Sequence, residues 1–166
     1  MSPGLERITT RYVAQEDRVR LTGQTPEGTP VVIWLSMRML QRLLPLLFKW
    51  LEQQGPPSTF KDLRQGFAHQ AARAELQPTA PVRAQADSQT WLAHSVDIAY
   101  WKGVVRLTFK APGAQDAVLR MPLKPLRQWL GIVYDAYLKA EWPLQVWPDW
   151  IREGTQVPKK GEAVLH

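Results

Sequence analysis

Cysteine is absent from this chain of 166 residues, which excludes disulfides, thiolate nucleophiles and every metal site built on sulfur. A chain without thiols suits a reducing compartment, so a cytoplasmic location is the expectation. No secretory signal is read at the start, where MSPGLERITTRY lacks an apolar core. Long hydrophobic runs are missing as well. The greasiest stretch, LLPLLFKWL, is too short to span a bilayer and carries Lys49 inside it, so no membrane partner is expected.

The residue patterns of common chemistries are missing too. Neither G-x-x-x-x-G-K nor G-x-G-x-x-G occurs, so no phosphate loop is read and no nucleotide cofactor is expected. The three histidines, His69, His94 and His166, share no ligand spacing, and no metal site is expected from them. Ser58 and Lys61 match S-x-x-K without the companion motifs of the acyl-enzymes that use it; they read as a helix cap and an exposed lysine. His94, Ser95 and Asp97 are near neighbours on one strand, where they form no triad unaided. The carboxylates are scattered. The chain reads as non-enzymatic, with no catalytic residue and no cofactor.

What is present is basic charge, tryptophan and an internal echo. Lys and Arg outnumber Asp and Glu by 21 to 15, for a net charge of +6, which favours an acidic partner such as nucleic acid. Apolar content of 45% and charge of 22% belong to a globular chain about one domain long.

The echo is VRLT, at Val19–Thr22 and again at Val105–Thr108. Shifting the chain by 86 positions aligns residues 8–51 with 94–137 without a gap and gives eight identities in 44 positions. Among them are Pro26 with Pro112, Val32 with Val118, Leu40 with Leu126 and Leu44 with Leu130. The physical patterns coincide as well. An alternating stretch (ITTRYVA, SVDIAYW) leads through a polar turn (QED, KG) into VRLT. A Pro/Gly loop (TPEGTP, APGAQD) then precedes a third strand (VVIWL, AVLRM) and a helix starting near Ser36 or Pro122. Pro45 in the first helix meets Gly131 in the second, a soft spot at the same turn. The expected fold is α+β: a tandem duplication of a β-β-β-α unit, with antiparallel sheets and two long helices packed on them.

The expected organisation is a first unit over 1–55, a linker with a short helix over 56–90, a second unit over 91–141 and a Trp/Pro-rich tail over 142–166, all around one shared core. The linker helix, capped by Ser58, places Phe60, Leu63, Phe67 and Ala71 on one face, as a strap over the core. The first long helix is apolar nearly all round, so it needs a partner on a second side. The tail carries EWPLQVWPDWI, with three tryptophans that dock either on the chain's own core or on a partner.

Two functions follow. The first is a protein–protein assembly module, a homodimer or a partner of another protein, with Trp50, Trp142, Trp147 and Trp150 as contacts. The alternative is single-stranded nucleic acid, DNA or RNA, bound by a basic sheet face. If Val19, Leu21, Val105, Leu107 and Phe109 point inward, strand alternation turns Arg18, Arg20, Arg106, Lys110 and Arg120 outward. Trp34 shares that face in register with Arg120, and Trp101 sits at the adjoining turn. Rings stack bases while cations track phosphates. In architecture alone, tandem units of strands followed by one helix resemble the PUR-repeat and whirly single-strand binders. Their units carry four strands where three are read here, and no motif of theirs is matched.

Overall fold

The computed structural model describes residues 4–54 and 60–155. The fold is α+β, with two sheets rich in antiparallel pairs and helices packed beside them. In chain order the elements are β1 (Arg7–Val13), β2 (Arg18–Gln24), β3 (Pro30–Leu35), α1 (Met37–Glu52), α2 (Lys61–Ala74), β4 (Gln89–Leu92), β5 (Ser95–Trp101), β6 (Val104–Lys110), β7 (Ala117–Pro122), α3 (Leu123–Ala140) and α4 (Asp149–Thr155). The first sheet has the order β1-β2-β3-β4 and the second β5-β6-β7. β4 pairs parallel with β3, and the other pairs are antiparallel.

Alternation decides which strand face is buried. Val19, Leu21, Ile33 and Leu35 of the first sheet are buried, as are Val105, Leu107, Phe109, Leu119 and Met121 of the second. All of them belong to one hydrophobic cluster that also contains Leu40, Leu44 and Leu47 of α1 and Leu126, Leu130 and Val133 of α3. Trp34, Arg106 and Arg120, at the intervening positions, face away from that core.

The two sheets are joined at both edges by the same device. Ala93 N–H donates to the Trp34 carbonyl of the first sheet, and the next residue, His94, donates to Lys110 of the second. At the other edge Leu5 N–H donates to Val118 of the second sheet, and Glu6 donates to Gln24 of the first. The short strand β4 is part of the first junction and straddles the expected boundary between the linker (56–90) and the second unit (91–141). Its four residues, QTWL, have no alternation long enough to announce a strand; its parallel pairing with β3 creates it.

The hairpin registers correct the gapless alignment. Arg7 opposes Gln24 and Ser95 opposes Lys110. Gln24 and Lys110 are 86 apart, whereas Arg7 and Ser95 are 88 apart. The first hairpin turns through residues 14–17, and the second through Lys102 and Gly103 alone. Both of the latter take positive φ, 47° and 78°, the backbone of a two-residue hairpin turn that follows the natural twist of its strands. The longer turn has its own anchor. Asp17 accepts hydrogen bonds from Tyr12 Oη at 2.7 Å and Trp142 Nε1 at 3.1 Å, which lower its carboxyl pKa in that order.

In α1, Ser36 Oγ caps the helix by accepting from Met39 N–H at 3.1 Å. Pro45 lies within the helix on an exposed position. The matching glycine has a packing reason. A Cβ on Gly131 would collide with the Arg73 side chain, which crosses α3 from α2 to reach Asp135 at 3.2 Å.

The strap helix α2 is turned the opposite way from expectation. Phe60, Leu63 and Phe67 are exposed, and Gln65, His69 and Ala72 face inward. Hydrogen bonding explains the orientation. Gln65 Nε2 donates to the Leu51 carbonyl at the end of α1, and its Oε1 accepts from Arg127 at 2.6 Å. Gln128 of α3 donates to Ala72. The buried Arg127 guanidinium needs an acceptor, and Gln65 supplies it, which makes a polar seam more favourable here than an apolar one. Ser58, the expected cap, lies outside the described residues.

The tail folds back onto its own chain. Trp142, Trp147 and Trp150 are 8%, 1% and 3% exposed. Trp147 lies between the long helices, with ring centroids 5.3 Å from Phe48 of α1 and 5.1 and 5.2 Å from Tyr134 and Tyr137 of α3. Trp150 packs on Phe48 and donates to Glu52 at 3.1 Å. No helix among the described residues is long and apolar enough to cross a membrane.

Trp147→Ala should cost about 3–5 kcal/mol by the usual scale for a fully buried aromatic. Trp101→Ala, at an exposed position, should stay within about 0.5 kcal/mol of wild type. Urea titrations of both variants check this; equal losses would contradict the packing described. A pH dependence follows from His69. It is fully buried, and burial first, then the Arg127 and Arg73 charges, depress its pKa from 6.5 to about 4. The unfolded chain takes that proton near pH 6.5 and the folded chain does not. This contribution is therefore intact above pH 6.5 and is lost as pH falls toward about 4, on the order of 3 kcal/mol in all. His69→Leu should flatten that part of the stability–pH curve.

Candidate functional site

Strand register sorts the outward residues into rows. On the second sheet Ala99 opposes Arg106, and Arg106 opposes Arg120. On the first, Arg11 opposes Arg20, and Arg20 opposes Trp34. The seven expected residues thus divide between two sheets: Arg18, Arg20 and Trp34 on the first, Trp101, Arg106, Lys110 and Arg120 on the second.

The second sheet carries the more open site. Ala99, Tyr100, Trp101, Lys102, Val104, Arg106 and Arg120 line a groove of about 510 Å³. Its floor is made of small side chains, Ala99 and Val104. Trp101 stands over it with 73% of its surface exposed, and the Lys102 ammonium is 5.4 Å from its ring centroid. The Tyr100 ring takes the other strand face, in register with the buried Val105, and stacks on Trp50 of α1 at 4.9 Å and 20°. No carboxylate lines the groove. Among the described residues neither Arg106 nor Arg120 has an acidic partner. Like charges directly opposite in a ladder repel, and no carboxylate among the described residues pairs with either.

Lys110 is placed differently. Asp97 lies 2.9 Å from its ammonium and Asp116 3.8 Å, and the Asp97 hydrogen bond leads the effects that raise its pKa. It is a neutralised cation outside the open row. Arg18, at the start of β2 beside Val13, is half-buried.

On the first sheet the Arg20 guanidinium carbon is 6.0 Å from the Trp34 ring centroid. Burial, and then the neighbouring Arg11 charge, lower the Arg20 pKa. The next row, Thr9–Thr22–Val32, is covered: Thr22, Val32 and Val82 are buried, and Val82 N–H donates to Thr9 Oγ1 at 2.8 Å. The segment after α2 crosses the sheet here, and Arg7 holds Ala80 O at 2.6 Å.

Of the expected partner contacts, Trp142, Trp147 and Trp150 are enclosed by the chain itself, leaving little of their surface for a partner. Trp50 is half-buried against Tyr100. Sequence reasoning missed Arg11 and Lys102. The signal for Arg11 was the length of the first turn, which sets it opposite Arg20; for Lys102 it was the hairpin tip that puts it beside Trp101.

No family model, no curated protein and no solved structure matches the chain.

Proposed function

We propose that the chain is a non-enzymatic protein that binds single-stranded nucleic acid on the outward face of its second sheet. A base lies on Trp101 above Ala99 and Val104, and Arg106, Arg120 and Lys102 meet the flanking phosphates. The observation that carries this reading is the opposed pair Arg106–Arg120, without an acidic partner among the described residues and beside an indole 73% exposed. A polyanion relieves the repulsion, and the ring gives it a reason to be single-stranded, because stacking needs an unpaired base.

We propose further that the chain is a tandem duplication of a β-β-β-α unit. Support comes from matched registers: Leu21 opposes Ile33 as Leu107 opposes Leu119, and both sheet junctions use consecutive donors in the same way.

Replacing Arg106 and Arg120 by alanine should weaken single-strand binding and reduce the slope of log affinity against log salt by about 0.7 per lost phosphate contact. Trp101→Ala should cost about 1–3 kcal/mol of binding with little change in slope. Absence of wild-type binding at moderate salt ends this reading.

Protein assembly is the second reading, and the outward stripe of α2 favours it. Leu63 and Phe67 are 56% and 61% exposed on one helix face, more apolar surface than scattered residues require. If a homodimer forms there, Leu63→Lys with Phe67→Lys should convert it to monomer in light scattering. A monomeric wild type removes the homodimer.

A further inference from the structure

The two basic rows occupy corresponding places in the two sheets. Arg20 and Trp34 of the first match Arg106 and Arg120 of the second in ladder position, and Arg11 matches Ala99. Each row contains an opposed arginine pair, Arg11–Arg20 in one and Arg106–Arg120 in the other, and each has an indole beside it. No acidic partner is found for any of the four guanidinium groups among the described residues. One step along, the crossing segment at Val82 covers the row of the first sheet, and the row of the second carries the Asp97–Lys110 ion pair, which offsets its cation. The opposed arginines fall in the same row twice.

One cleft lies between the rows. Arg120 lines the groove of the second sheet and also this cleft of about 640 Å³, where β7 approaches β1. Thr9, on the same strand face as Arg11, lines it from β1, together with Glu6, the segment after α2 and Gln128, Trp129 and Ile132 of α3. A strand running from Arg120 toward Arg11 crosses this cleft and passes Glu6.

Resting on the single-strand reading above, we propose that Arg11, Arg20 and Trp34 form a second single-strand contact, and that one strand of sufficient length bridges the cleft to engage both sheets. A strand held at one row is presented to the other at high effective concentration, so affinity rises steeply once its length spans both.

The test uses fluorescence anisotropy and calorimetry with oligothymidylates of about 6 and about 24 nucleotides, near the lower and above the upper range of site sizes for compact single-strand folds. Wild type should bind two short strands per chain but one long strand, and the long one about 100-fold tighter or more. Trp101→Ala with Arg106→Ala and Arg120→Ala should leave one short-strand site and remove the length advantage. Arg11→Ala with Arg20→Ala should do the same from the other side; this pair leaves the half-buried Trp34 in place, and circular dichroism checks its fold. If the Arg11/Arg20 variant binds the long strand as tightly as wild type, the second contact and the bridge are refuted, while the single-strand reading survives. If wild type binds neither length, that reading fails and this one with it.

Discussion

Two pairs of adjacent residues hold the architecture together. At Leu5–Glu6 and at Ala93–His94, one amide donates to one sheet and the next donates to the other. An extended backbone turns successive amides in opposite directions, so a strand lying between two sheets can pair with both at once. Applied at both edges, this closes the sheets around a shared core and leaves few unpaired strand edges for non-native pairing. It also fixes the register, and register decides that Arg20 and Arg106 point away from the core together. A slip of one residue would bury both guanidinium groups.

With the sheets joined, the helices still need filling between them. Trp147 supplies it, touching Phe48, Tyr134 and Tyr137 from the segment between α3 and α4, which carries Pro143 and Pro148. Edge-to-face ring contacts add to the area buried. The polar seam under α2 is the weaker element. It buries His69 without a hydrogen-bond partner among the described residues and beside two arginines, which makes that strap sensitive to acid.

The strands were legible from alternation and turn residues, since VRLT can turn Val and Leu toward the core only by turning Arg and Thr away from it. Tryptophan docking was also open to view, because three indoles in eleven residues are costly to leave in water. The face of α2 was not legible. Its apolar stripe at 60, 63 and 67 satisfies the ordinary rule for an inward face, and only the positions of the Leu51 carbonyl and Arg127 reveal why Gln65 turns inward instead. The candidate site was half legible. Arg106, Arg120 and Trp101 follow from strand parity, whereas their separation from Arg20 and Trp34 depends on where the chain passes between sheets at Ala93–His94. The neutralisation of Lys110 depends on the register that brings Asp97 of the neighbouring strand diagonally within 2.9 Å, with Asp116 from a loop behind it.

The most direct measurement of the central claim is an ¹⁵N–¹H spectrum of the indole groups during titration with a short single strand. Eight tryptophans give eight separate reporters. The Trp101 signal should move with saturation, while those of Trp142, Trp147 and Trp150, enclosed in the core, should stay in place. A complex that forms with Trp101 unmoved would contradict the assignment of the second-sheet groove as the binding face.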